Sequence, residues 1–185
     1  MKNLFGKPGA VYLWPIVFSL TAMVYFSGCG YTTKSILPKS IKTIYIEPFK
    51  NNINFTTGTG RNIYLPLLEI DTRNAVIDRF LFDGNLKIAK PEVANLILRG
   101  ELNNYERSGL RYTDDDDVEE YRVHITFSFE MYNANNDEVS WTEPGFVGEA
   151  TYFVSGPLAT AEESAIDAAI VDLARRIVER TIEDW

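Results

Sequence analysis

The 185-residue chain sets 18 Lys and Arg against 26 Asp and Glu, a formal charge of −8, and holds one cysteine. That balance excludes a nucleic-acid binder, which needs clustered basic side chains to neutralise phosphates. A lone cysteine excludes an internal disulfide.

The chain opens with Lys2 and Lys7, followed by the nearly continuous apolar stretch Gly9–Phe26 and then Ser27-Gly28-Cys29. This ordering reads as a bacterial lipoprotein signal spanning residues 1–28. The small residues let the peptidase approach the backbone, and the Cys29 thiol receives the diacylglyceryl group. Phe26 stands where such signals usually carry Leu, and Pro15 interrupts the apolar run. The alternative is an uncleaved anchor, since about 18 apolar residues span a bilayer. Gly30 rather than Asp after the cysteine favours the outer membrane, with the domain facing the periplasm. Several acyl chains on one cysteine give a stable attachment where a single chain gives only a marginal one. Removing residues 1–28 leaves 157 residues carrying 16 basic and 26 acidic side chains, a formal charge of −10. Any anionic ligand must then be met by a local basic cluster or through bridging cations.

Residues 29–40 read as a lipidated tether with Pro38, and residues 41–185 as one domain. The first strand is expected over 41–47, apolar on both faces and ended by Pro48, with a loop over 51–62. A helix is expected over 67–82, closed by Asp83-Gly84, where glycine suits the left-handed position beyond a helix end. A short strand covers 86–89. Longer strands follow over 95–105 and 121–132, the latter with Val123, Ile125, Phe127, Phe129 and Met131 on one face and Arg122, His124, Thr126, Ser128 and Glu130 on the other. The last strand is expected in two pieces, 139–141 and 146–154, with a bulge or bend at Pro144-Gly145. Thr160-Ala161-Glu162-Glu163 reads as a capping box opening a helix that runs to Trp185. Its apolar stripe is Ile166, Ala169, Ile170, Leu173, Ile177, Val178 and Ile182. The order predicts an α/β (α+β) two-layer sandwich, with two helices on one face of a mixed, mainly antiparallel sheet of four to five strands.

No catalytic set emerges, and no motif implies a cofactor or a metal. His124 lies mid-strand with no nucleophile elbow around any serine. Gly58-Thr59-Gly60 lacks the Lys-Ser/Thr of a phosphate loop and reads as a plain loop. Asp114–Asp117 with Glu119 and Glu120 lacks the glycine and spacing of a calcium loop, and reads as a solvated hairpin end with, at most, weak cation binding. Arg107 and Arg111 flank that hairpin. Their guanidiniums suit bidentate contact with phosphate, or else neutralise the neighbouring aspartates.

Several ordered pieces resemble the LPS-assembly lipoprotein family LptE. They are Cys29-Gly30-Tyr31, Leu37 through Ile44 into Pro48-Phe49, Phe80 through Leu86, Ala94 through Gly100, Glu119 through Val123, Glu162 through Ala165, and Ile182 through Trp185. Together they run through nearly the whole mature chain. The resemblance implies two helices on a sheet, lipidation at Cys29, and a non-enzymatic role as plug and assembly partner of the LptD-like outer-membrane β-barrel, with LPS as a possible direct ligand. The barrel partnership follows more directly than the LPS contact, because the hairpin end is acidic and the turn 156–160 contains no Lys or Arg. Arg107 and Arg111 are the candidate LPS contacts, and the strand face of Arg122, His124, Thr126 and Ser128 is candidate barrel-contact surface. The competing reading is an accessory or pilot lipoprotein of another outer-membrane secretion or assembly complex.

Overall fold

A computed structural model of the protein describes residues 37–54 and 65–183. The signal segment, Cys29, most of the tether, the Gly58-Thr59-Gly60 loop and the terminal Asp184-Trp185 lie outside the described residues.

The first strand, β1 (Thr43–Ile46), buries Ile44 and Ile46 and lies parallel to its neighbours on both sides, as its apolar faces require. Pro48 ends it, but pairing resumes two residues later as β2 (Lys50–Asn51), which lies parallel to the same neighbour. Asn51 therefore belongs to a strand and not to the expected loop. Proline removes one ladder donor without turning the chain away. That break accounts for a sheet of six strands rather than four to five.

Helix α1 (Leu68–Asp83) turns Leu68, Thr72, Val76 and Phe80 inward at intervals of four. Thr72 Oγ1 donates to the Leu68 carbonyl (2.7 Å), so this buried hydroxyl is satisfied within the helix. Gly84 adopts φ 76° beyond the helix and donates its N–H to the Phe80 carbonyl (3.0 Å). The short β3 (Lys87–Ile88) pairs with β1, and a 3-10 turn at Pro91–Val93 leads into the long strands.

Those strands are β4 (Leu96–Tyr112), β5 (Val118–Asn133) and β6 (Glu138–Phe153), joined as an antiparallel meander. The full order is β3-β1-β4-β5-β6, with β2 beside β4. β5 shows the expected alternation, with Val123 through Met131 buried at every second position. β6 is one continuous strand, and the interruption expected near Pro144-Gly145 is a bulge within it. Phe127 pairs with Phe146 and Phe129 with Glu143, so Pro144-Gly145 forms the extra residues of a bulge. The Ser128 hydroxyl donates to the Pro144 carbonyl across it (2.7 Å).

Helix α2 (Glu162–Glu183) covers the same sheet face as α1 and buries its whole predicted stripe. Each fully buried Leu or Ile contributes about 1.5–3 kcal/mol, so this stripe is a dominant stabilising element. The helix also guards the free edge of β6. Arg176 donates to the Val147 carbonyl (2.5 Å), and Asp172 accepts from the Glu149 N–H (3.2 Å). Thr160 N–H closes the strand end on the Phe153 carbonyl (2.9 Å). Occupied edge groups deny a second chain its pairing template.

The capping box is displaced. With the helix starting at Glu162, Thr160 stands two positions before it and its backbone serves the sheet instead. Glu162, rather than Glu163, is the carboxylate that organises this end.

Candidate functional site

β4 and β5 extend seven and three residues beyond the stretches that alternation marks, and their common end carries the candidate arginines. A register shift between Leu102 and Asn104 sets the phase of the outer half of β4. Beyond it Tyr105 pairs with Ile125, Arg107 with Val123 and Gly109 with Tyr121, so Arg107 lies on the core-facing side. Its guanidinium there meets the first turn of α2.

Arg107 Nη1 donates to Glu162 Oε2 (2.9 Å) and to the Tyr152 hydroxyl (2.9 Å), and its guanidinium lies 3.9 Å from the centre of the Tyr121 ring. Tyr105 donates its hydroxyl to Glu162 Oε1 (2.6 Å), and Tyr152 donates to Oε2 (3.2 Å). The Tyr121 and Tyr152 rings stack at 5.7 Å. The Arg107 and Glu162 side chains are only 18 % and 19 % exposed, so this pair works in a less polar medium than a surface pair. Burial pulls the Arg107 guanidinium down, but Tyr152 and Glu162 outweigh it and hold it above its ordinary value. Burial pushes the Tyr152 phenol up, with Glu162 adding to that and Arg107 opposing it. The neutral phenol and charged guanidinium are therefore the forms this cluster favours.

Arg111 stands differently. Its side chain is 59 % exposed, lies 5.4 Å from the Phe153 ring centre, and reaches Glu120 Oε2 at 3.6 Å. Glu120 is itself buried. The two candidate arginines thus share one end of the domain but not one environment. Arg107 is bound inward, and Arg111 faces outward. Neither takes up the neutralisation of Asp114–Asp117 that the sequence suggested, because both find glutamates on their own side of the sheet. The aspartates are exposed in a turn closed by Thr113 N–H to the Asp117 carbonyl (2.8 Å), with Asp116 at φ 64°. Leu110, Tyr112, Val154 and Leu158 are exposed apolar residues of this end.

The uncovered sheet face is polar and internally paired. Arg99 bridges Glu47 (3.0 Å) and Glu130 (3.1 Å) and lies over the Tyr132 ring. Side-chain hydrogen bonds to both glutamates raise its pKa. His124 Nε2 meets Glu149 Oε2 at 3.1 Å, and Asn103 donates to the Ser128 hydroxyl. Among the described residues no group of His, Cys, Asp or Glu is arranged to hold a metal ion, and no helix is long and apolar enough to cross a membrane.

The lipopolysaccharide-assembly LptE family model matches residues 41–181, nearly all of the two-layer domain. The chain belongs to the LptE lipopolysaccharide-assembly family. By sequence it matches no curated protein. Among solved structures, protein XCC0632 from Xanthomonas campestris aligns with a TM-score of 0.57 at 12 % identity, over 80 % of this chain and 88 % of that one. At that identity the likeness shows the fold alone. The rare lipoprotein B from Shewanella oneidensis aligns with a TM-score of 0.42 at 17 % identity, over 72 % and 92 % of the two chains. A minor lipoprotein from Acinetobacter baumannii gives 0.48 at 16 % identity, over 77 % and 92 %.

Membership of LptE gives the expected non-enzymatic class of function a family basis. What sequence reasoning missed at the site is Glu162, hidden inside a motif that reads as a helix cap. The available signal was the pair of tyrosines at 105 and 152, whose hydroxyls need partners when their rings are buried.

Proposed function

We propose that this LptE-family protein is an outer-membrane lipoprotein, anchored through Cys29, that fills the polar lumen of the LptD-like LPS-translocating β-barrel and supports its assembly. The family match across nearly all of the domain carries this reading. The uncovered sheet face supports it physically. A polar face on which Glu47 and Glu130 hold Arg99 and His124 hydrogen-bonds Glu149 suits a polar barrel wall, where complementarity gives register and specificity more than net affinity. Arg122, His124, Thr126 and Ser128 are then wall-contact residues.

LPS contact at the hairpin end falls to Arg111, whose guanidinium is exposed, while Arg107 positions the strand that carries it by gripping Glu162. The decisive experiment is affinity purification of the full-length protein from detergent-solubilised envelopes. The barrel should be recovered in near-equal amount. Recovery of a different secretion or assembly complex without it would sink the proposal. In the same preparation, Arg111→Glu should leave barrel recovery unchanged and lower co-purifying LPS several-fold. Unchanged LPS would remove Arg111 from the contact.

A further inference from the structure

The arginines of the domain are largely spent on internal pairs, whereas its lysines are not. Arg99, Arg107, Arg111, Arg175 and Arg180 each meet a carboxylate. Lys39, Lys42, Lys87 and Lys90 are exposed, and none forms an ion pair with a described residue. They also gather at one place. Lys87 pairs with Thr43 across β3 and β1, and its N–H donates to the Lys42 carbonyl (3.0 Å). Leu37, Pro38, Lys39, Ile41, Lys42 and Asn85 line one shallow depression at the start of β1. Lys90 follows β3, whose next residue, Ala89, donates to the Ile44 carbonyl (2.9 Å). The carboxylates of this end are Asp83, which accepts from the Asn85 side chain, Glu92, and Asp137 and Glu138 of the β5–β6 turn, Glu138 sharing a depression with Pro38 and Ile41. The four lysines stand on the β3–β1 side of this end and the β5–β6 turn carboxylates across the sheet from them, so the basic groups are locally concentrated in a mature chain of formal charge −10.

Three further observations converge on this end. From Cys29 to Ile46 the sequence holds Lys34, Lys39 and Lys42 and has no Asp or Glu before Glu47. Helix α1 finishes here with Leu81 and Phe82 61 % and 81 % exposed, just before the Gly84-Asn85 turn. Finally, the covalent distance is short. Eight residue steps separate Cys29 from Leu37, a reach of at most about 28 Å when fully extended.

We propose that this end of the domain, bearing Lys39, Lys42, Lys87 and Lys90 with Leu81 and Phe82, rests on an anionic phospholipid surface beside the Cys29 anchor. The inference rests on the reading of Cys29 as lipidated. A tether of that reach brings the lysines toward the headgroups, where each adds about a fivefold preference for anionic over neutral lipid. Phe82 and Leu81 supply the apolar contact that seats such a surface at the headgroup boundary. Contact through the anchor end points the opposite end, with Arg111 and Leu158, away from the lipid. The alternative use of these lysines is to blunt the β3 edge against pairing with another chain, a role indifferent to lipid charge.

The test uses full-length lipidated protein in vesicles of phosphatidylcholine alone or with about one-third phosphatidylglycerol, a strongly anionic mixture. With the Cys29 thiol occupied by lipid, Phe82→Cys or Leu158→Cys gives a single site for a fluorescent reporter. Flotation of vesicles reports the anchor, and quenching by nitroxide-headgroup lipid reports the posture. The reporter at 82 should be quenched several-fold more than that at 158. The excess should be larger with phosphatidylglycerol, and high salt or combined Lys→Glu changes at 39, 42, 87 and 90 should abolish that increase. Flotation with equal quenching at both sites, or an excess indifferent to lipid charge and lysine reversal, overturns the inference and leaves the anchor standing. Failure to float with either vesicle overturns the anchor and the inference together.

Discussion

Gly148→Ala is expected to lower the melting temperature by about 6–12 °C, corresponding to about 3 kcal/mol in a domain of this size. Gly148 pairs with Ile125 at the centre of β6, directly beneath α2. A Cβ built there would stand 2.5 Å from Leu173 Cβ and 2.9 Å from the Leu173 backbone nitrogen, and would also strike the Ala169 carbonyl oxygen. These are atoms of the helix backbone or its first side-chain carbon, so no rotamer change relieves the clash. The helix would have to lift, loosening Ala169, Leu173 and Ile177, all fully buried. Overpacking of a filled core costs about 1–3 kcal/mol or more, and a rigid neighbour places this site at the upper end. Gly145→Ala is the internal control. It lies in the same strand with nothing within 4 Å of a new Cβ, and should change stability by less than about 0.5 kcal/mol. Thermal unfolding of the two variants decides the matter. A Gly148→Ala protein as stable as the control would mean that α2 does not approach β6 as closely as described.

That glycine also marks where sequence reasoning stops. Alternation in β5 and the stripe of α2 place both elements and their buried faces, because each periodicity is set by one chain segment meeting one core. Six strands rather than four to five could not be read, since whether a chain resumes pairing after Pro48 depends on a neighbour 51 residues away, where Lys50 meets Glu101. Bulges have the same character. The bulge at Pro144-Gly145 is foreshadowed by residue types, but the shift near Asn103 is not, and that shift helps place Arg107 on the core-facing side. Arg107 and Arg111 were therefore legible as a pair by position in the chain and not by environment. Their different partners, Glu162 from the distant helix and Glu120 from the adjacent strand, arise from tertiary packing alone.

Removing Glu162 should therefore cost more than removing the arginine it holds. Glu162→Ala leaves the Arg107 guanidinium mostly enclosed, with only the Tyr152 hydroxyl and the face of Tyr121 for company, and strips Tyr105 of its acceptor. A stranded charge and the lost Tyr105–Glu162 hydrogen bond together are expected to destabilise by about 2–3 kcal/mol, below the roughly 3–5 kcal/mol of a fully buried pair because both side chains keep some water. Arg107→Ala leaves Glu162 with two hydroxyl donors, Tyr105 and Tyr152, and should cost about 1 kcal/mol. The double variant should then be clearly more stable than the sum of the two losses predicts, because the second change removes the charge that the first one stranded. Glu162→Gln, which keeps an acceptor for Tyr105 but not the ion pair, should fall between wild type and Glu162→Ala. Urea unfolding of the four proteins measures the coupling. Additive losses would show that the two residues act independently, and would detach the start of α2 from the hairpin end that presents Arg111.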